Sequence, residues 1–161
     1  MQDLSYLDDA DAREAILRIA EEATQRMVPR EAPTARDVAE EYLEDVREAG
    51  QLLYAQPGRG RGMEFDGASG FWLLLALPVI VGCVGNLMAD VGAWAVGALH
   101  ARVAGSDAQS ADLLSPARIR PALDAHARAA GLTEADVDRL VVIVSAVLIT
   151  LATEGRTGGR P

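Results

Sequence analysis

The feature that most constrains this chain is an uncharged stretch over residues 67–89, whose apolar part begins at Phe71. Residues 71–89 alone comprise 19 consecutive uncharged residues. A helix rises about 1.5 Å per residue, so about 20 such residues cross the hydrocarbon core of a bilayer. Trp72 suits a membrane interface, and membrane helices tolerate the kink expected at Pro78. The stretch is therefore predicted to lie in a membrane or in a completely buried interface.

A second apolar segment, residues 140–153, contains 14 uncharged residues and is rich in Val and Ile. It is short for a bilayer crossing and fits either a buried core helix or a tightly flanked span. Its β-branched residues leave a buried strand as an alternative, but its length and the acidic residues before it favour a helix. If both segments cross, arginines flank them on the cytoplasmic side, although the intervening arginines would then lie outside.

The rest of the sequence predicts an all-α protein, because Ala and Leu dominate and both favour helices. Apolar residues recur at spacings of three and four over residues 8–28 and about 34–55, on either side of a turn bounded by Pro29 and Pro33. This pattern indicates an antiparallel helical hairpin. The predicted order is an acidic helical hairpin (1–56), a Gly/Arg linker (57–70), a hydrophobic, transmembrane helix region (71–105), a C-terminal helix pair that includes the second apolar segment (106–154) and a flexible tail (155–161).

Capping signals predict where the C-terminal helices begin and end. Pro116 has the form of a first helical residue, with Pro121 as the alternative start. Gly131 is suited to end that helix, and Thr133 to cap the next one.

The outer faces of the hairpin are acidic, with carboxylates at Glu21, Glu22, Glu40, Glu41, Glu44 and Glu48. Such a face is either simply solvated or binds a protein partner. The partner hypothesis makes the hairpin an interaction module in the cytoplasm.

Small residues occupy every fourth position in one region, at Gly85, Ala89, Ala93, Gly97, Ala101 and Gly105. This spacing lets two helix backbones approach closely, so it predicts helix packing or self-association. The packing partner would be the same helix in a second copy, or the final helix near Ser145 and Ala146.

Asn86 and Asp90 share a helix face beside this stripe. They are candidates for a polar position at the membrane face, with Asp90 as a membrane boundary as the alternative.

Composition and motifs argue against several kinds of chemistry. A net charge of −9 and a pI near 4.6 disfavour nucleic-acid binding. Every basic residue is Arg, which excludes lysine chemistry. The single Cys83 is expected to be a buried apolar residue, and His100 and His126 have no metal ligands at suitable spacing. We therefore expect no catalytic residue, cofactor or metal.

These features favour a small membrane-associated helical protein without catalytic activity. It would be an accessory or interaction subunit, or a membrane-perturbing oligomer, in the cytoplasmic membrane with its N-terminal region in the cytoplasm. Its partners would be the lipid bilayer, a protein bound through the acidic hairpin, and further copies of the chain. The alternative is a soluble, cytoplasmic α-helical bundle that acts as an oligomeric protein-interaction module, with residues 71–101 as its central helix.

Overall fold

The computed structural model describes residues 4–8, 10–53, 71–91 and 115–158, and all regular structure in these ranges is helical. The prediction of an all-α protein is confirmed. The described residues form five α-helices: α1 (Ala10–Met27), α2 (Ala35–Ala49), α3 (Phe71–Val91), α4 (Pro116–Ala130) and α5 (Glu134–Gly158). Two short 3-10 helices, Ser5–Asp8 and Pro29–Thr34, precede α1 and α2 respectively.

Helices α1 and α2 pack against each other in opposite directions. Arg13, early in α1, pairs with Glu44, late in α2, whereas Arg36 at the start of α2 pairs with Glu21. Half of the buried apolar residues of these two helices are alanines. α2 ends at Ala49, where Gly50 adopts a left-handed conformation (φ 72°), and not near residue 55 as the apolar spacing predicts.

Helix α3 forms the centre of the bundle. It packs against α1, α2 and α4, and nine consecutive residues, 76–84, are buried. A helix that is apolar on every side needs neighbours on every side, and helices of the same chain supply them here. Residues 76–84 of this segment are thus buried within the chain itself.

Within the described parts of the chain, no helix combines the length and the apolarity needed to cross a membrane.

Helices α4 and α5 form the predicted C-terminal pair. α4 begins at Pro116, so Pro121 lies inside it, and it ends at Gly131, which has a φ of 83°. Thr133 caps α5: its hydroxyl accepts a hydrogen bond from the Asp136 amide at 3.1 Å, and Asp136 accepts one in return from the Thr133 amide at 3.4 Å. α5 continues to Gly158, four residues into the range predicted as a flexible tail, 155–161.

The second apolar segment, within α5, is a core helix with one buried face. α5 packs against α1 and α4, and its inward residues include Leu140, Val144 and Leu148. Val142 and Ile149 lie on the opposite face and are exposed. The strand alternative for this segment is wrong.

Candidate functional site

The outer face of α2 is a row of exposed carboxylates. Its core side is formed by residues such as Ala39, Tyr42 and Val46. At 100° per residue, the positions opposite these residues are 37, 41, 44 and 48, and position 40 borders them. We name this exposed group the acidic surface; it consists of Asp37, Glu40, Glu41, Glu44 and Glu48.

The ion pairs of the acidic surface, so far as the structure describes the chain, involve one of its carboxylates. Glu44 is paired with Arg13 at 3.5 Å and with Arg47 at 3.9 Å. Among the residues that the structure describes, the other four carboxylates form no ion pair.

Three carboxylates of α1, in contrast, form ion pairs with arginines. Arg36 bonds Glu14 at 2.7 Å and Glu21 at 3.0 Å, and Arg26 bonds Glu22 at 2.9 Å. Sequence reasoning grouped Glu21 and Glu22 with the α2 acids. In the structure, Glu21 and Glu22 are paired with arginines. Among the described residues, the carboxylates without an ion pair lie mainly on α2.

A second distinctive region is the surface of α3 around two glycines. A Cβ atom at Gly85 would lie 2.8–2.9 Å from ring and hydroxyl atoms of Tyr6. The Tyr6 hydroxyl donates a hydrogen bond to the carbonyl oxygen of Val81 at 3.0 Å. Glycine at position 85 thus allows the 3-10 helix Ser5–Asp8 to attach its tyrosine directly to the backbone of α3.

The other glycine, Gly82, faces α4. A Cβ atom there would lie 2.5–2.6 Å from three ring atoms of His126. Asn86, one turn along α3, donates from Nδ2 to the carbonyl oxygen of Ala122 at 3.3 Å, and the same nitrogen is 3.5 Å from His126 Nε2. Burial lowers the pKa of His126 from its usual value. We name Gly82, Asn86, Ala122 and His126 the α3–α4 polar contact.

The beginning of α3 is capped by a residue far away in sequence. The buried carboxylate of Glu31 accepts hydrogen bonds from the backbone amides of Trp72, at 3.2 Å, and Leu73, at 3.0 Å. The first amides of a helix lack intrahelical partners and carry its positive dipole end, so a carboxylate there is stabilising. Sequence reasoning missed this role because Glu31 lies in a proline-bounded turn.

The predicted small-residue stripe falls mostly outside the described residues. Ala93, Gly97, Ala101 and Gly105 are in that undescribed part, as are the side chains of Ala89 and Asp90. Gly85 is described, and the group closest to it is the Tyr6 ring, not a second helix. Self-association through this stripe stays a prediction. Asn86 is exposed and forms the contacts with α4 given above.

The described side chains offer little for catalysis. Burial raises the pKa of the Cys83 thiol to about 12, so it is a poor nucleophile near neutral pH. No group of three or more His, Cys, Asp and Glu side chains is suitably placed for a metal ion in the described ranges. The acidic surface offers negative charge that can attract cationic groups.

Comparison with protein-family models, with curated proteins and with solved structures gives no match to this chain.

Proposed function

We propose that this chain is a non-catalytic protein-interaction module that presents the acidic surface of α2 to a partner with complementary basic residues. The observation that carries the proposal is the contrast within the hairpin. Four carboxylates of the acidic surface form no ion pair with described residues, whereas Glu14, Glu21 and Glu22 of α1 are each bonded to an arginine.

The spacing of these carboxylates supports a binding role. Asp37 and Glu41, and likewise Glu44 and Glu48, are four residues apart on one helix. Like charges at this spacing destabilise a helix by a few tenths of a kcal/mol per pair. A basic partner would remove that repulsion and gain attraction at the same surface. Complementary charge also raises the rate of association and selects among partners.

The direct test uses a helical peptide that carries arginines at four-residue spacing, with binding measured by fluorescence anisotropy at low and physiological salt. The double variant Glu41→Gln/Glu48→Gln should raise the Kd at least about fivefold, because two charges at the contact are lost. Binding by the unaltered protein should weaken as salt rises, since these exposed charges are screened.

A matched control separates a defined surface from net charge. Glu22→Gln/Glu134→Gln also removes two negative charges, but from α1 and α5, where these carboxylates pair with Arg26 and Arg120. It should change the Kd by less than about twofold. An equal loss of affinity in both double variants would show that only overall charge matters and would refute the proposed surface.

The burial of α3 supports the bundle form of this function over the membrane-inserted form, because α1, α2 and α4 already cover the most apolar helix. Fractionation distinguishes the two forms. The bundle form predicts that the protein stays in the supernatant after detergent-free lysis as a monodisperse species. Pelleting that resists alkaline carbonate would support membrane insertion instead.

A further inference from the structure

His126 occupies a space that only a glycine on the facing helix leaves open. Its Cδ2, Nε2 and Cε1 atoms all lie within 2.6 Å of the position of a Cβ atom at Gly82. The ring is half-buried. The residues that flank Gly82 in sequence, Val81 and Cys83, are buried and uncharged. A charge on this ring would therefore be only partly solvated.

Asn86 sets the hydrogen-bonding direction at the ring. Its Nδ2 donates to the Ala122 carbonyl at 3.3 Å and lies 3.5 Å from His126 Nε2. Turning the amide over would bring its oxygen against the carbonyl oxygen of Ala122. The NH₂ group therefore faces Nε2, which suits a neutral ring that carries its hydrogen on Nδ1. A proton on Nε2 would place two hydrogen-bond donors against each other, the Nε2–H group of the ring and the NH₂ group of Asn86.

Several charged groups on the elements packed around this contact form ion pairs with one another. α3 has no charged residue between Trp72 and Leu87. On α4, Arg128 is two residues from His126 and so projects from a different face. Four acidic groups on the neighbouring elements pair with arginines: Asp8 with Arg47, and Asp124, Glu134 and Asp138 with Arg120.

We propose that the α3–α4 polar contact is an acid-operated conformational switch: a proton on His126 weakens the packing of α4 on α3 and exposes α3 around Gly82. Burial lowers the pKa of His126 in the folded protein below the ordinary value of 6.5. The contact is therefore at full strength above about pH 6.5, and it weakens as the pH falls from there towards the lowered value, because the opened form binds the proton more tightly.

The test is amide hydrogen exchange of α4, followed by mass spectrometry and corrected at each pH for the intrinsic exchange rate. Protection of residues 119–130 should fall at least about threefold between pH 7.5 and 5.5. His126→Gln keeps a polar side chain that does not titrate, so its protection should not change with pH. His100→Gln, which removes the other histidine of the chain, should behave like the unaltered protein.

An identical fall in protection in His126→Gln, or no fall in the unaltered protein, would overturn the proposal. If His126→Gln does not fold, NMR titration of the His126 ring in the unaltered protein decides the matter, with His100→Gln used to assign its signal. An apparent pKa below 6.5, accompanied by shifts in α3 amides near Gly82, supports the switch. A value at or above 6.5, or a titration that leaves those amides unchanged, excludes it.

Discussion

Glu31 places a carboxylate inside the bundle, where it accepts hydrogen bonds from the backbone amides of Trp72 and Leu73. Glu31→Ala would leave both donors without their acceptor at the buried start of α3. We expect the free energy of unfolding to fall by about 2–3 kcal/mol, measured by urea denaturation. Glu31→Gln keeps one side-chain oxygen and should lose less.

An alanine at an exposed acid provides the control for this prediction. Glu48 forms no ion pair with described residues, so Glu48→Ala should change the free energy of unfolding by no more than about 0.5 kcal/mol. If Glu31→Ala proved as mild as Glu48→Ala, the carboxylate would not be the cap that stabilises α3.

The separation along the sequence between a residue and the groups it binds decides whether its role can be predicted from the sequence. Gly131 and Thr133 act on amides and carbonyls within a few residues, and both roles were predicted correctly. Glu31 acts on amides 41 and 42 residues away, so no local pattern marks it. His126 was considered only as a metal ligand, because its contact with Gly82 exists only once α3 and α4 have packed.

At the scale of the helix pair, Gly82 and His126 should behave as one unit. Gly82→Ala alone puts a methyl group into the space of the ring, and we expect it to cost about 1–3 kcal/mol despite the better helix propensity of Ala. Removing the ring as well, in Gly82→Ala/His126→Ala, should recover part of that loss. Thermal or urea unfolding of both single variants and the double variant gives the coupling, expected to be at least about 1 kcal/mol.

Gly82→Ala/His100→Ala is the matched double variant for this cycle, since it removes a histidine but keeps the His126 ring that lies beside Gly82. It should show no recovery. Additive effects in Gly82→Ala/His126→Ala would mean that the close approach of the ring to Gly82 does not limit the packing of α3 and α4.

The ends of α4 were predicted well because residues that begin or end helices mark them. The end of α2 was predicted poorly because apolar spacing alone was used. The start of α4 at Pro116 and its end before Gly131 illustrate the first case. For α2, the spacing continues through Leu53, yet Gly50 ends the helix at Ala49. Leu52 is buried beyond that end. Apolar periodicity therefore records burial and does not by itself record helix.

The whole molecule shows why one uncharged stretch gave two predictions. Lipid and a surrounding layer of helices favour the same residues, so residues 71–89 alone could not distinguish them. The distinction depends on which helices cover α3, and those contacts join segments distant in sequence. The partly charged helices α1, α2 and α4 each carry an apolar face that could have suggested this role.

The same arrangement implies that the N-terminal hairpin does not fold alone. Half of the buried apolar residues of α1 and α2 are alanines, whereas α3 supplies large core side chains such as Leu73, Leu77 and Ile80. A fragment of residues 1–56 would lose that apolar cover and is small for an independent core. We expect its far-UV circular dichroism to show less than about half the helicity of the same residues in the bundle and to change gradually on heating. The full chain should melt in one transition, coincident by circular dichroism and tryptophan fluorescence. A sigmoidal melt of the fragment would show instead that the hairpin is a separate domain.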